Sequence, residues 1–127
     1  MKKMFLLFSH KLTEDQEIDA KNTFDIEQFI YLPPNLQHIF SNVPVELKSL
    51  SEYLIPIKNF LIENSEYEDL VLIQGDFGVV YQMVNFVKSL GLKAVYSTTL
   101  RLSEEVLDSE GLLKMSIFKH RRFREYE

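Results

Sequence analysis

The segment at 69–91, DLVLIQGDFGVVYQMVNFVKSLG, constrains the fold more than any other part of the chain. Its four apolar residues at 70–73, followed by Gln74, predict a short strand buried on both faces of a sheet. The turn Gln-Gly-Asp-Phe-Gly comes next, and apolar residues then recur at helical spacing from Asp76 or Phe77 to Leu90. A buried strand that leads through a glycine-containing turn into a helix is a unit of a parallel α/β fold.

The first third of the chain repeats this alternation. KMFLLFS at 3–9 is a continuous apolar run, which favours a central strand over a signal peptide because no small-residue cleavage site follows. TEDQEIDAKNTF begins with a capping box, Thr13 and Gln16, and predicts an exposed helix. IEQFIYL at 26–32 predicts a second strand, which ends at two prolines and leads into a short helix from Asn35.

The middle of the chain predicts one helical region with an interruption. Leucine and isoleucine residues at 47, 50, 54, 57 and 61 form one stripe at helical spacing. Pro56 lies inside this stripe, so we expect a kink there or a break between two short helices. Gly91, at the far end of the next helix, is placed to end it in a left-handed conformation.

The last third predicts a fourth strand and then a hairpin. LKAVYS at 92–97 is the strand, and apolar residues alternate with polar ones after Thr99. DSEG at 108–111 indicates the hairpin turn. The whole order predicts a single α/β domain at 1–127, an open parallel sheet of Rossmann type flanked by helices, with a C-terminal β-hairpin.

Composition excludes several classes of function. The chain has 127 residues and no cysteine, which rules out disulfides and thiolate metal sites. Its three histidines are far apart and lack metal-ligand spacing, so we expect no metal and no cofactor. A net charge of −5 argues against duplex nucleic acid, and no apolar run is long enough to span a membrane. We expect a cytoplasmic protein.

In an open α/β sheet, ligands bind beyond the carboxyl ends of the strands, where the strand order reverses. That rule collects the loops SHKLT, QGDFG and STTLR at one edge. The candidate ligand-binding residues are Ser9, Gln74, Gly75, Asp76, Phe77, Gly78, Thr98 and Thr99, and the candidate catalytic residues are His10 and Arg101. The glycines would admit a ligand close to the backbone, and amides at a helix start favour phosphate.

Each candidate also has an ordinary structural explanation. Capping of a helix accounts for Asp76 better than chemistry does. His10 could cap a turn, and STTLR could be a turn that carries a surface arginine. The basic segment FKHRRFR at 118–124 could fold back toward the ligand or could be a solvated tail.

The helix after QGDFG is apolar around most of its circumference. A helix that covers one sheet face needs a single apolar stripe. The excess predicts burial against another helix or a second subunit, and we favour a two-fold homodimer that brings two copies of the loop edge together.

The sequence resembles a small CRISPR-associated family found beside type III CRISPR systems and grouped with the ring nucleases. The resemblance rests on LFSHKLTEDQE, FIYLPPNLQHIFSNVP, VLIQGDFGVVYQMVNFVKSLGL, VYSTTLR and FKHRRFR, which cover most of the chain in order. It implies a CARF-like homodimer that binds cyclic oligoadenylate, above all the four-adenosine ring. It also implies cleavage to linear products with 2′,3′-cyclic phosphate ends, which switches off the antiviral response.

Two other functions fit the same residues. The dimer could hold the cyclic nucleotide as a sensor or sponge without cutting it. Alternatively, the chain could be an unrelated α/β interaction domain in which QGDFG is only a tight turn.

Overall fold

The computed structural model describes the backbone of residues 1–108 and 111–127, and the side chains of 1–102, 111 and 117–127. The elements, in chain order, are β1 (Lys3–Leu7), α1 (Glu14–Phe24), β2 (Gln28–Tyr31), α2 (Pro34–Ser41), α3 (Ile55–Asn64), β3 (Leu70–Ile73), α4 (Phe77–Ser89), β4 (Lys93–Asp108) and β5 (Gly111–Glu125). Within these ranges, no helix is long and apolar enough to cross a bilayer.

The five strands form one sheet in the order β2-β1-β3-β4-β5. The first four strands are parallel to their neighbours, and β5 runs antiparallel to β4. The chain builds outward from β1 to β2 and then crosses to β3, so the strand order reverses between β1 and β3. The predicted Rossmann-like α/β fold with a C-terminal hairpin is confirmed.

Two apolar clusters cover the two faces of the sheet. Alternate residues of β1 divide between them, with Phe5 and Leu7 on one face and Met4 and Leu6 on the other. Helices α2, α3 and α4 pack on the first face, whereas Ala20 of α1 packs on the second. All four of these β1 side chains are fully buried, as expected for a central strand.

Local signals in the sequence account for two helix ends. Thr13 caps α1: its hydroxyl accepts from Gln16 N–H, and the Gln16 side chain accepts from Thr13 N–H. Gly91 follows α4 with φ of 76°, a conformation that costs glycine little. Both predictions are confirmed.

The middle of the chain differs from its prediction. Helix α3 begins only at Ile55, and Pro56 lies in its first turn, where a missing N–H breaks no helical hydrogen bond. Turns rather than helix occupy 51–54, and Leu47 is exposed. Leu54, Ile57 and Leu61 of the stripe are buried in the core, and Leu50 packs against it while partly exposed.

The fourth strand is longer than predicted. β4 runs through STTLR as a continuous strand, so the alternative in which this segment forms a turn is wrong, and β4 itself is the first arm of the hairpin. A β-bulge at Thr98/Thr99 replaces the turn. Asp108 pairs with Gly111, and the two central residues of the predicted DSEG turn, Ser109 and Glu110, lie outside the described residues.

Candidate functional site

The carboxyl ends of β1 and β3 lie side by side at the point where the strand order reverses. Leu7 pairs with Ile73, and Gln74 N–H donates to Leu7 O at 3.0 Å. The loops after the two strands therefore leave the sheet together. This brings five predicted residues to one edge: Ser9, His10, Gln74, Gly75 and Asp76.

Ser9 and His10 form the β1 side of this edge, and both are exposed. The Ser9 hydroxyl lies 2.9 Å from the Ser41 hydroxyl at the end of α2. The His10 ring packs edge-on against Phe8, with ring centroids 5.3 Å apart. His10 is therefore oriented by an aromatic neighbour while its ring remains accessible to a ligand.

A cavity of about 350 Å³ opens beside these two residues, toward the end of β2. Its volume falls within the range of small-molecule sites. The lining includes Phe8, Ser9, His10, Lys11, Tyr31 and Gln37. Three aromatic rings, one cation and several polar groups suit a ligand that combines a flat ring with an anionic group.

The glycines on the β3 side are exposed but also meet packing demands. A Cβ on Gly75 would lie 3.0 Å from Phe40 Cζ, and one on Gly78 would lie 3.0 Å from Leu50 Cδ1. Close packing against α2 and the 45–54 segment therefore explains both glycines without a ligand. Contact between a ligand and their open sides remains a prediction.

Asp76 caps α4, since its Oδ1 accepts from Val79 N–H at 3.1 Å. The expectation that Asp76 caps the helix is confirmed. Val80 N–H donates to Asp76 O, which is the first hydrogen bond within the helix, so Val79 is the only N–H of the first turn that the cap satisfies among the described contacts. For Phe77 and Gly78, no hydrogen-bond acceptor is found in the described part of the chain. Their amides can bind an anion.

Gln74 joins this edge to β4. Ser97 N–H donates to Gln74 Oε1 at 2.7 Å. Because a backbone N–H can only donate, this contact fixes which end of the carboxamide is oxygen. The Gln74 NH₂ group is left as an oriented donor at the edge.

Ser97 belongs to a hydrogen-bonded chain that sequence reasoning did not find. Its hydroxyl lies 2.5 Å from His120 Nδ1, and Gln16 Nε2 donates to the same hydroxyl at 3.3 Å. His120 Nε2 lies 2.7 Å from Asp19 Oδ2, and the His120 side chain is only 4% exposed. His120 thus folds into the protein and ties α1 to β4 and β5.

Burial opposes the ionisation of Asp19, but hydrogen bonds outweigh it. Thr23 and His120 donate to the carboxylate, and the charge of His120 and the Phe123 backbone add to their effect. The pKa of Asp19 is lowered from 3.8 as a result. The carboxylate that faces His120 is therefore ionised at neutral pH.

The predicted residues of β4 lie apart from the β1/β3 edge. The Thr98 hydroxyl donates to Arg122 O at 3.0 Å and accepts from Arg122 N–H at 3.3 Å. These two contacts give the Arg122 backbone groups hydrogen-bond partners at the bulge. Thr99 lines a separate cleft of about 320 Å³ with Gln16 and His120. Arg101 stands four residues beyond Ser97, roughly 13 Å along the strand. Its guanidinium carbon lies 5.9 Å from the Phe118 ring centroid.

The basic segment at 118–124 divides into residues with different roles. Arg124 donates to Tyr96 OH at 2.9 Å and stacks over the Tyr96 ring at 5.5 Å. Arg121 and Arg122 are exposed. His120 and Phe123 fold back into the interior, so the segment is neither wholly a solvated tail nor wholly part of the edge.

The exposed face of α4 is apolar at its start. Phe77 is 95% exposed and Tyr81 is 73% exposed, one helical turn apart. Both line a groove of about 300 Å³ that Tyr126 borders. Val79, Met83 and Val87, on the opposite side of α4, are fully buried against the sheet.

Comparison with known proteins places the chain in a family. A model of the family described as "Uncharacterized protein MJ1673 family" matches residues 2–124. The chain belongs to the MJ1673 family. A relative described as "Uncharacterized protein MJ1673", from Methanocaldococcus jannaschii, is 48% identical over 126 residues, which is 99% of this chain and 98% of the relative. No solved structure matches significantly. All of the candidate residues lie inside the region that the MJ1673 family model matches.

Several polar residues of the site escaped the sequence analysis. Asp19 and Gln37 carry no motif, Ser97 lies in the predicted STTLR loop but was not among the candidate residues, and only the capping box drew attention to Gln16. Among the described residues, no group of three His, Asp or Glu side chains is arranged to hold a metal ion.

Proposed function

We propose that the protein is a CARF-like ring nuclease that binds cyclic tetra-adenylate and cleaves it without a metal ion. The observation that carries this proposal is the convergence of β1 and β3 at the strand-order reversal. An accessible histidine, His10, follows the end of β1, and the oriented Gln74 donor and the open amides of α4 follow the end of the neighbouring β3. These groups suit a phosphodiester, and the neighbouring aromatic cavity suits a base.

The proposed reaction uses a nucleophile that the substrate already contains. The ribose 2′-oxygen attacks the adjacent phosphorus, the bond to the 5′-oxygen breaks, and a linear product with a 2′,3′-cyclic phosphate results. The protein must hold these three atoms in line, which can supply up to roughly 7–11 kcal/mol. His10 would take the 2′-hydroxyl proton or give a proton to the leaving 5′-oxygen.

Charge develops on the phosphoryl oxygens as the reaction proceeds. The amides of Phe77 and Gly78 and the Gln74 NH₂ would donate to those oxygens from fixed positions. Arg101 stands apart from these donors on the hairpin arm, so it would add positive charge at longer range. The two amides and the Gln74 NH₂ need no reorganisation during the reaction, because backbone contacts already fix their positions.

A homodimer on α4 would complete the site. Phe77 and Tyr81 are the exposed aromatic residues of α4, and Phe77 directly follows the Gly75-Asp76 turn. A two-fold contact through this face would place two copies of the β1/β3 edge near each other. A ring of four adenylates has a matching two-fold symmetry. In this proposal the protein acts in the cytoplasm, where it switches off type III CRISPR signalling.

A single-turnover assay tests the proposal. Excess protein is mixed with labelled cyclic tetra-adenylate in the presence of EDTA, and the products are resolved by chromatography. Linear adenylates with cyclic phosphate ends are expected. If EDTA abolished cleavage that occurs without it, the metal-independent mechanism would be wrong.

Binding without cleavage has a separate readout. A ligand at a hundredfold excess over its dissociation constant stabilises a fold by about 2.7 kcal/mol, which a thermal-shift assay detects. A ring that binds and stays intact would make the protein a sensor or sponge. A ring that neither binds nor reacts would favour the interaction-domain alternative.

A further inference from the structure

The carboxamide of Gln37 has a fixed orientation in the aromatic cavity. Gln37 Nε2 donates to Phe8 O at 3.0 Å and to the Ser41 hydroxyl at 2.9 Å. A carbonyl oxygen can only accept, so Nε2 must face Phe8. Both hydrogens of the NH₂ group have acceptors, and a flip of the amide would set two oxygens against each other.

The opposite end of this amide, Oε1, has no such partner. Within the described ranges, no side chain or backbone group donates to it. Gln37 is half-buried, and no buried side-chain oxygen or nitrogen among those residues lacks a partner. Gln37 Oε1 therefore retains solvent contact, and the residue lines the 350 Å³ cavity.

The surroundings define which group this acceptor would meet. Tyr31 and Phe8 supply flat apolar surface in the same cavity, and Ser9 and His10 connect it to the β1/β3 edge. A nucleotide whose phosphate lies at that edge can place its base between these rings. Proteins commonly read an unstacked base by aromatic stacking together with hydrogen bonds to its Watson–Crick edge.

We infer that Gln37 determines base specificity by accepting a hydrogen bond from the exocyclic amino group of adenine. This inference rests on the proposed function. Adenine presents an N6 amino donor, whereas hypoxanthine presents an oxygen at the same position. That oxygen would face Gln37 Oε1 and leave two acceptors in contact, which is unfavourable in a partly desolvated site. The fixed NH₂ contacts prevent the amide from turning to accommodate it.

The experiment measures equilibrium binding of two four-membered rings, one of deoxyadenylate and one of deoxyinosinate. Both lack the 2′-hydroxyl, so neither can undergo the proposed cleavage. The wild-type protein is expected to bind the deoxyadenylate ring at least tenfold more tightly than the deoxyinosinate ring. Gln37→Leu is expected to reduce this ratio of affinities below about threefold, mainly by weakening binding of the deoxyadenylate ring.

Asn64→Leu is the matched control. Asn64 Nδ2 also donates to a backbone carbonyl, that of Phe60 at 2.8 Å, but it lies at the end of α3 outside the cavity lining. This variant should keep the wild-type ratio. Melting temperatures of both variants, measured without ligand, verify that they fold.

The possible outcomes separate the two proposals. A wild-type ratio in folded Gln37→Leu, or equal binding of both rings by the wild type, would overturn the role of Gln37 and leave ring binding in place. Another outcome is that the protein binds neither deoxynucleotide ring and also leaves cyclic tetra-adenylate uncleaved in the single-turnover assay. That result would overturn the proposed function and the role of Gln37 with it.

Discussion

His120 Nε2 lies 2.7 Å from Asp19 Oδ2, although the two residues are 101 positions apart in the chain. The contact joins the middle of α1 to the last strand. On its other side, His120 contacts the Ser97 hydroxyl, and Ser97 N–H donates to Gln74 at the proposed site. The integrity of this interior chain therefore affects both the attachment of α1 and the surroundings of Gln74.

Asp19→Ala is expected to lower the free energy of unfolding by about 1.5–3 kcal/mol, the range for hydrogen bonds to a charged group. The loss leaves His120, which is 4% exposed, without its carboxylate partner. Urea unfolding of the two proteins at neutral pH measures the difference. Asp15→Ala is the control, since Asp15 is an exposed acid of the same helix and should change stability by less than about 1 kcal/mol.

The difference in stability between wild type and Asp19→Ala should also depend on pH. The pKa of Asp19 is lowered from 3.8 in the folded protein, so its contribution to stability is fully present above 3.8. As the pH falls through the lower folded pKa, the carboxylate is protonated and this contribution is lost. The difference in stability between wild type and Asp19→Ala should therefore shrink below pH 3.8. A difference that grew with acidity would contradict the assignment.

Thr98→Val tests the role of the bulge hydroxyl. Valine keeps the shape and the strand preference of threonine but loses the two hydrogen bonds to the Arg122 backbone. We expect a loss of about 1 kcal/mol in the free energy of unfolding. Thr99→Val is the matched control, because Thr99 is exposed at the adjacent position. Equal effects of the two changes would show that the bulge does not depend on this hydroxyl.

Gly91→Ala should destabilise the fold by about 1–2 kcal/mol, the cost of a left-handed conformation for a residue with a Cβ. A Cβ at this position would also lie 2.6 Å from Tyr67 Cδ2. The exposed Tyr67 ring can move aside, so the backbone cost should dominate. Thermal unfolding of Gly91→Ala in a Tyr67→Ala background isolates that cost. If the double variant recovered the stability of Tyr67→Ala alone, the clash rather than φ would be responsible.

Local signals made much of this fold predictable. The capping residues Thr13 and Asp76 and the left-handed Gly91 each depend on a few neighbouring residues, so the sequence alone identifies them. The order of apolar runs predicted the parallel sheet, because strands joined through helices have few other arrangements. The β1/β3 edge followed from that order.

What the sequence could not reveal depends on register and distant contacts. The register shift at Thr98/Thr99 decides which residues of β4 and β5 face each other, and no glycine or other turn residue in the sequence indicates it. The pairing of His120 with Asp19 depends on that register. The orientation of Gln37 depends on a carbonyl 29 positions away, that of Phe8. These long-range contacts determine how the side chains at the proposed site are oriented.

The α4 face predicts the oligomeric state. Phe77→Glu and Tyr81→Glu would each place a carboxylate in the proposed two-fold contact, where burial of an unpaired charge is costly. We expect the wild type to have the mass of a dimer in light scattering and both variants to have the mass of a monomer. Ile62→Glu, on the 55% exposed Ile62 of α3, should leave the dimer intact. A monomeric wild type would rule out the dimer.

His10→Ala should separate chemistry from binding. General acid–base catalysis contributes roughly 10²–10⁴-fold to a rate, so the single-turnover rate with cyclic tetra-adenylate should fall by that factor. Binding should weaken far less, because the Gln74 donor and the amides of Phe77 and Gly78 remain. The control is His38→Ala, which removes an exposed histidine of α2 that contacts Asn42 and does not line the cavity. Full activity in His10→Ala would remove its acid–base role, and the amides, Gln74 and Arg101 would then have to account for catalysis through alignment and charge stabilisation alone.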